Sequence, residues 1–283
     1  NRRAAGLNPG RPFGRNDMAL ELIRAVRTIL DRVTEVTGRD IEFVEKEDLP
    51  VPAMIGMAGE DSPNHRLFFK KDHDATVNHV IANECCHILR LYGVPEEKRL
   101  IPVASQKTLG RYTAEMEADI RRLYQRYPPE KLMNLVMLWY ESILYQLTKM
   151  PTDIRVEKWI HDHYPDVVPM QLQSLAGQQE KAVATLAVDI RKTMPGRIYD
   201  ACNIMNYVYF KILGKAFDLD YVASYRFTRY FARGEELISL MEEIKMDSHE
   251  GDVLVINTWA RYFHFSGWFE WTRPGRVSRQ HLH

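Results

Sequence analysis

Residues Glu130–Lys149 are apolar on nearly every side of a helical projection. A helix with this pattern is buried on all sides by the rest of the protein. Its most apolar part, Leu132–Leu147, is interrupted by polar residues and is too short and too polar for a membrane span. This segment therefore predicts a buried central helix in a protein that does not enter the membrane.

The remaining periodicity predicts an α+β fold that is predominantly helical, with a small antiparallel sheet before residue 72. After an extended arm at residues 1–15, the expected helices cover Asp17–Val36, Asp74–Leu91, Gly110–Tyr127 and Glu130–Lys149, then 153–163, 169–193, 197–214, 219–232 and 235–245. The expected strands are Ile41–Val44, Ala53–Met57 and Arg66–Lys70, with a last strand at Asp252–Ile256. The interruption at 150–153 indicates a boundary between a core region, 1–150, and a helical C-terminal region, 151–283, unless the two form one continuous domain.

Composition excludes several classes of protein. The 38 basic residues equal the 38 acidic ones, whereas a nucleic-acid-binding protein normally carries a basic excess. Three cysteines do not form a disulfide framework, and the adjacent Cys85 and Cys86 point to different helix faces. No apolar run follows the basic residues at the start, so no signal peptide is expected. These features predict a cytoplasmic protein.

The segment Asn83-Glu84-Cys85-Cys86-His87 has the spacing of the H-E-x-x-H motif, with asparagine in place of the first histidine. Positions 83 and 87 share one face of a helix. In H-E-x-x-H the two histidines hold zinc, and the glutamate acts on the metal-bound water. Glu84 also falls at the edge of an apolar stripe, where a carboxylate needs a partner that a metal site would supply.

A second motif, Glu115-Met116-Glu117-Ala118-Asp119, follows on the next predicted helix. With it, residues of about 40–125 resemble the gluzincin metallopeptidases, and among them the CAAX-prenyl-protease-like group with its E-x-x-A-D motif. The 28 residues from His87 to Glu115 favour the broad clan over that group. The resemblance implies a zinc ion held by position 83, His87 and Glu115. It also implies that Asp119 orients one of the ligands, that Glu84 is the general base, and that a substrate peptide lies along the edge strand of the sheet.

The departure at Asn83 leaves two functions open. An amide oxygen is a poor zinc ligand, so zinc is expected with Asn83→His and is weak or absent with Asn83. Asn83 is either a substitution that silences a zinc-dependent endopeptidase of restricted protein substrates, or a natural feature of a pseudopeptidase that binds or regulates a protein or peptide. The retention of Glu84, His87, Glu115 and Asp119 favours the first.

Two further alternatives concern the site itself. His79 lies two turns before His87, about 12 Å along the helix, which is too far to share one ion, so it is expected to be a partly exposed helix histidine. A plain helical scaffold without a site is the other alternative. It predicts that Glu84, His87 and Glu115 do not meet in space.

Overall fold

The computed structural model describes residues 20–59, 62–274 and 281–282. The arm at residues 1–15, the expected helix start at Asp17, and residues 275–280 lie outside this part of the chain. Residues 20–23, which were expected to be helical, are not, and the first helix begins at Arg24. The fold is α+β and predominantly helical, as the sequence predicts. The described helices are α1 (Arg24–Thr37), α2 (Val77–Tyr92), α3 (Gln106–Glu115), α4 (Glu117–Leu123), α5 (Pro129–His163), α6 (Val168–Ala184), α7 (Val188–Thr193), α8 (Gly196–Phe217), α9 (Tyr230–Glu242) and α10 (His249–Phe263).

The first sheet contains the three predicted strands, β1 (Ile41–Glu45), β2 (Ala53–Gly56) and β3 (His65–Phe69), in the order β1-β3-β2. β2 pairs antiparallel with β3, but β1 pairs parallel with β3. The expectation of a purely antiparallel sheet is therefore wrong. The reason is topological: residues 46–52 carry the chain to the far edge, so that β3 fills the central position and runs in the direction of β1.

A second sheet was not predicted. It has the order β5-β4-β6 and is formed by β4 (Ile101–Ser105), β5 (Glu270–Thr272) and β6 (His281–Leu282), with both pairings antiparallel.

The expected strand at Asp252–Ile256 is instead part of α10. The side chain of Ser248 accepts a hydrogen bond from the backbone N–H of Gly251, which caps the start of this helix. Val255, Trp259 and Phe263 then recur every four residues and are buried, so the helical period outweighs the short apolar run.

The predicted helix Gly110–Tyr127 is two helices. α3 begins with a capping box between Ser105 and Thr108 and ends at Glu115. Met116 has φ −99° and ψ 4°, outside the helical region, and α4 begins after it. Glu115 and Asp119 therefore do not belong to one continuous helix, although the sequence placed both on the predicted helix Gly110–Tyr127.

α5 runs for 35 residues through the position where an interruption was expected. Pro151 has no N–H to donate, yet the helix continues because the turns on both sides are buried: Leu147 and Ile154 both lie in the larger hydrophobic core. Further along the same helix, Val156 and Ile160 belong to a second core, formed mainly with α1, α2 and the first sheet. One helix thus contributes to both cores, and the boundary at residue 150 falls inside it.

α2 packs against α1, α5, α6 and β2, so its residues meet side chains from several elements. Across the described residues, no helix combines the length and apolarity that crossing a membrane would require.

Candidate functional site

Two polar stripes face each other where α2 packs against α5. Each stripe repeats every four residues, so its members lie on one side of their helix. They are His79, Asn83 and His87 on α2, and Lys149, Asp153 and Glu157 on α5.

The innermost contact joins His79 to Glu157. Nε2 of His79 lies 2.9 and 3.1 Å from the two carboxylate oxygens of Glu157, and both residues are 1% exposed. Gln171 of α6 donates a 2.6 Å hydrogen bond to the same carboxylate. The expectation that His79 is partly exposed is wrong, because α6 covers this end of the stripe.

Asn83 lies between the two acids of α5. Its Nδ2 donates to Oε1 of Glu157 at 2.9 Å and to Oδ1 of Asp153 at 3.3 Å. The asparagine thus presents its amide nitrogen to the carboxylates and links them. An amide nitrogen that donates hydrogen bonds to two carboxylates has no lone pair to offer a metal ion placed between them.

His87 and Asp153 form the third contact, with 2.6 Å between Nε2 and Oδ1. Burial alone would raise the pKa of Asp153, but His87, Lys149 and the Asn83 amide together hold it below its ordinary value. Asp153 is therefore an ionised carboxylate at neutral pH.

The outermost contact is an ion pair between Lys149 and Glu84, whose side chains are 19% and 20% exposed. Burial alone would lower the pKa of Lys149, but the carboxylates of Glu84 and Asp153 raise it above its ordinary value. The ammonium also lies 5.5 Å from the ring centroid of Tyr145. The partner that the position of Glu84 requires is thus a lysine.

Searches of protein-family models, of curated proteins and of solved structures each found no match to this chain.

Glu115 and Asp119 lie among other residues. Glu115 accepts hydrogen bonds from Arg111 at 3.1 Å and from the indole N–H of Trp268 at 2.9 Å, and Arg197 lies 3.6 Å away. Asp119 is 3.4 Å from Arg122. The described contacts of these two acids include no residue of α2, and the acid beside Asn83 and His87 is Asp153.

The residues present at this site do not fit a zinc ion. Zinc takes imidazole, thiolate or carboxylate ligands, whereas Asn83 offers an amide whose nitrogen faces the acids. The carboxylate of Glu84, which would have to act on a metal-bound water, is paired with Lys149. Within residues 20–59, 62–274 and 281–282, no group of three His, Cys, Asp or Glu side chains has an arrangement that could hold a metal.

Lys149, Asp153 and Glu157 are the site residues that sequence reasoning missed. The sequence does contain a pattern that could have revealed them: a polar residue recurs at every fourth position of a segment that is otherwise largely apolar. α2 carries a matching repeat. The expected interruption at 150–153 separated Lys149 from the two acids and hid the repeat.

Proposed function

We propose that this chain is a non-catalytic, zincin-like module that binds an extended peptide or protein segment. One observation carries the proposal: each of the three site carboxylates has a nitrogen partner within the chain, namely Lys149 for Glu84, His87 for Asp153 and His79 for Glu157. A site whose acids are already paired has little need of a metal. Asn83, which bridges two of these acids, supports the same conclusion.

The binding surface in this proposal is the outer edge of β2. Lys70 donates its backbone N–H to the carbonyl of Pro52, which sets the alternation of the antiparallel ladder. Met54 and Gly56 accordingly bond to β3, while the backbone groups of Ala53 and Ile55 point away from it. In the described part of the chain no strand pairs with this edge. An extended peptide adds to such an edge through main-chain hydrogen bonds.

Peptide selection tests this function. A library of random linear dodecapeptides is selected against the unmodified chain, and synthetic copies of the enriched peptides are titrated by fluorescence anisotropy. We expect Ile55→Pro to weaken binding about tenfold, because it removes one of the outward backbone N–H groups that would donate to the bound peptide. Ile55→Val keeps the N–H and is the matched control. Failure to enrich any peptide, or equal binding to a folded Ile55→Pro variant, would contradict the proposal.

A second candidate is a zinc-dependent endopeptidase with a restricted protein substrate, silenced at position 83. It is favoured by the convergence of three positions, since Oδ1 of Asp153 lies within 3.3 Å of Asn83 and 2.6 Å of His87. In this candidate Asp153, and not Glu115, supplies the acid beside the H-E-x-x-H positions. It predicts that Asn83→His alone restores stoichiometric zinc and cleavage of selected substrates, without general digestion of casein.

A cytoplasmic location and the absence of nucleic-acid partners belong to the same proposal. The location is supported by Cys85, Cys86 and Cys202, all of which are free thiols. The balanced net charge supports the second point.

A further inference from the structure

We infer that Lys149 excludes divalent metal ions from the site between α2 and α5, and that its ammonium takes the place of the metal charge beside Glu84 and Asp153. This inference rests on the proposed non-catalytic function and deepens it. It assigns the exclusion of a metal to two residues, Asn83 and Lys149, on two different helices.

The position of Lys149 follows from the helical repeat. It lies one turn before Asp153 on α5, and its side chain extends to Glu84, the residue after Asn83. The cation is therefore enclosed by two acids, with the face of Tyr145 beside it. These groups form a complete cation site that the chain itself fills.

Charge explains why a metal would be excluded. A divalent ion at His87 and Asp153 would lie close to a fixed, largely buried ammonium, and like charges repel more strongly there than in bulk water. The ion would also compete with Lys149 for the same carboxylates. Replacement of Asn83 by histidine restores a ligand but leaves this competing cation in place.

The hydrogen bonds of Asn83 complement this arrangement. Its amide nitrogen occupies the space between Asp153 and Glu157 without adding charge. With Lys149 already supplying a positive charge, a neutral donor is the group that satisfies both acids. The two residues thus fit one another and do not fit a metal.

Four proteins test the inference: the unmodified chain, Asn83→His, the Asn83→His/Lys149→Met double variant, and the Asn83→His/Lys149→Arg double variant. Each is incubated with zinc sulfate and freed of unbound metal by gel filtration. Zinc is then measured by elemental analysis, zinc affinity by competition with a chromogenic chelator, and the melting temperature with and without zinc. Circular dichroism establishes which variants are folded, and Asn83→His/Lys149→Gln is the substitute if the methionine variant is not.

We expect about one zinc per chain only where Lys149 has lost its charge, with an affinity about 10-fold or more above that of Asn83→His. Zinc should raise the melting temperature of that double variant alone, and the arginine variant should behave like Asn83→His.

Equal zinc affinity of Asn83→His and Asn83→His/Lys149→Met would overturn the inference and favour the silenced endopeptidase. The absence of zinc from the folded charge-free double variant would also overturn it. Either failure is distinguishable from failure of the proposed function, which is measured by peptide binding to the unmodified chain.

Discussion

His65 shows how a single buried side chain joins β3 to the loop after β2 and to the end of α1. Its Nδ1 accepts the backbone N–H of Ala58 at 3.0 Å, and its Nε2 lies 3.1 Å from the hydroxyl of Thr37 at the end of α1. The residue is fully buried, and burial together with the nearby Arg39 lowers its pKa. The ring is therefore held in its neutral form, because a proton on Nδ1 would break the bond to Ala58.

This arrangement predicts a pH dependence of stability. The pKa of His65 in the folded protein is below its value of about 6.5 in the unfolded chain. As the pH decreases, the unfolded chain therefore binds more protons than the folded protein does. The stabilisation is complete above pH of about 6.5 and is lost progressively as the pH falls from there through the folded pKa. Urea denaturation at pH 7.5 and 5.5 should show a larger loss of unfolding free energy for the unmodified protein than for His65→Gln. Equal losses in the two proteins would refute this role.

At the scale of elements, Asp252 connects three helices. It lies in the first turn of α10 and is 1% exposed. Arg90 of α2 donates to both of its carboxylate oxygens at 2.9 Å, and Arg155 of α5 donates to one of them at 3.0 Å. The pair of helices that carries the polar stripes is thus fixed to α10 by one buried acid.

Asp252→Asn should lower the free energy of unfolding by about 3 kcal/mol, because it removes the buried counter-charge that two largely buried guanidinium groups share. Asp247→Asn is the matched control. Asp247 also accepts from Arg90, at 3.0 Å, but its side chain is 77% exposed, so the cost should be below about 1 kcal/mol. Chemical denaturation of both variants measures the difference. Similar costs for the two substitutions would show that burial of Asp252 does not decide its contribution.

The elements also show how far the sequence predicts this fold. The end of α1 was predicted, because Gly38 follows it with a left-handed φ of 66°, but its start was predicted too early, since residues 20–23 are not helical and α1 begins at Arg24. The strands β1–β3 were predicted within a residue or two, since their apolar runs lie between turn residues. The break at Met116 and the continuation through Pro151 were missed, because tertiary packing decides both and local propensity does not.

Of the two polar stripes, the sequence predicted the one on α2. The face shared by Asn83 and His87 follows from spacing on one helix, and its presence on α2 is confirmed. The partner stripe on α5 depends on which helix packs against α2, a long-range contact between residues 66 to 78 positions apart. The sequence motif at Glu115 suggested that the helix carrying Glu115 packs against this face of α2. A single sequence does not show whether that helix or α5 occupies the position.

For the whole molecule, the two cores share one helix. The larger core includes Leu147 and Ile154 of α5, and the second includes Val156 and Ile160 of the same helix. Neither core can lose its packing without disturbing the helix on which the other depends. The molecule should therefore unfold as one cooperative unit.

Two matched substitutions test this cooperativity. Leu67 is 1% exposed in the second core and Leu213 is 0% exposed in the larger one. Leu67→Ala and Leu213→Ala should each lower the unfolding free energy by about 2–5 kcal/mol. Because most of the tryptophans belong to the larger core, fluorescence reports mainly that core, while circular dichroism reports all helices. The two signals should give the same midpoint in each variant, and a Leu67→Ala transition seen by circular dichroism but not by fluorescence would demonstrate two independent units.

The shared helix also sets the order of events during synthesis. A nascent chain emerges from its N-terminus, and domains that are complete early fold before the remainder is made. Here the core around α1, α2 and the first sheet needs Val156, Ile160 and Val167, which are translated well after those elements. On the ribosome, this N-terminal core therefore stays incomplete until the long helix has been made, and its apolar strands must remain unaggregated for that interval.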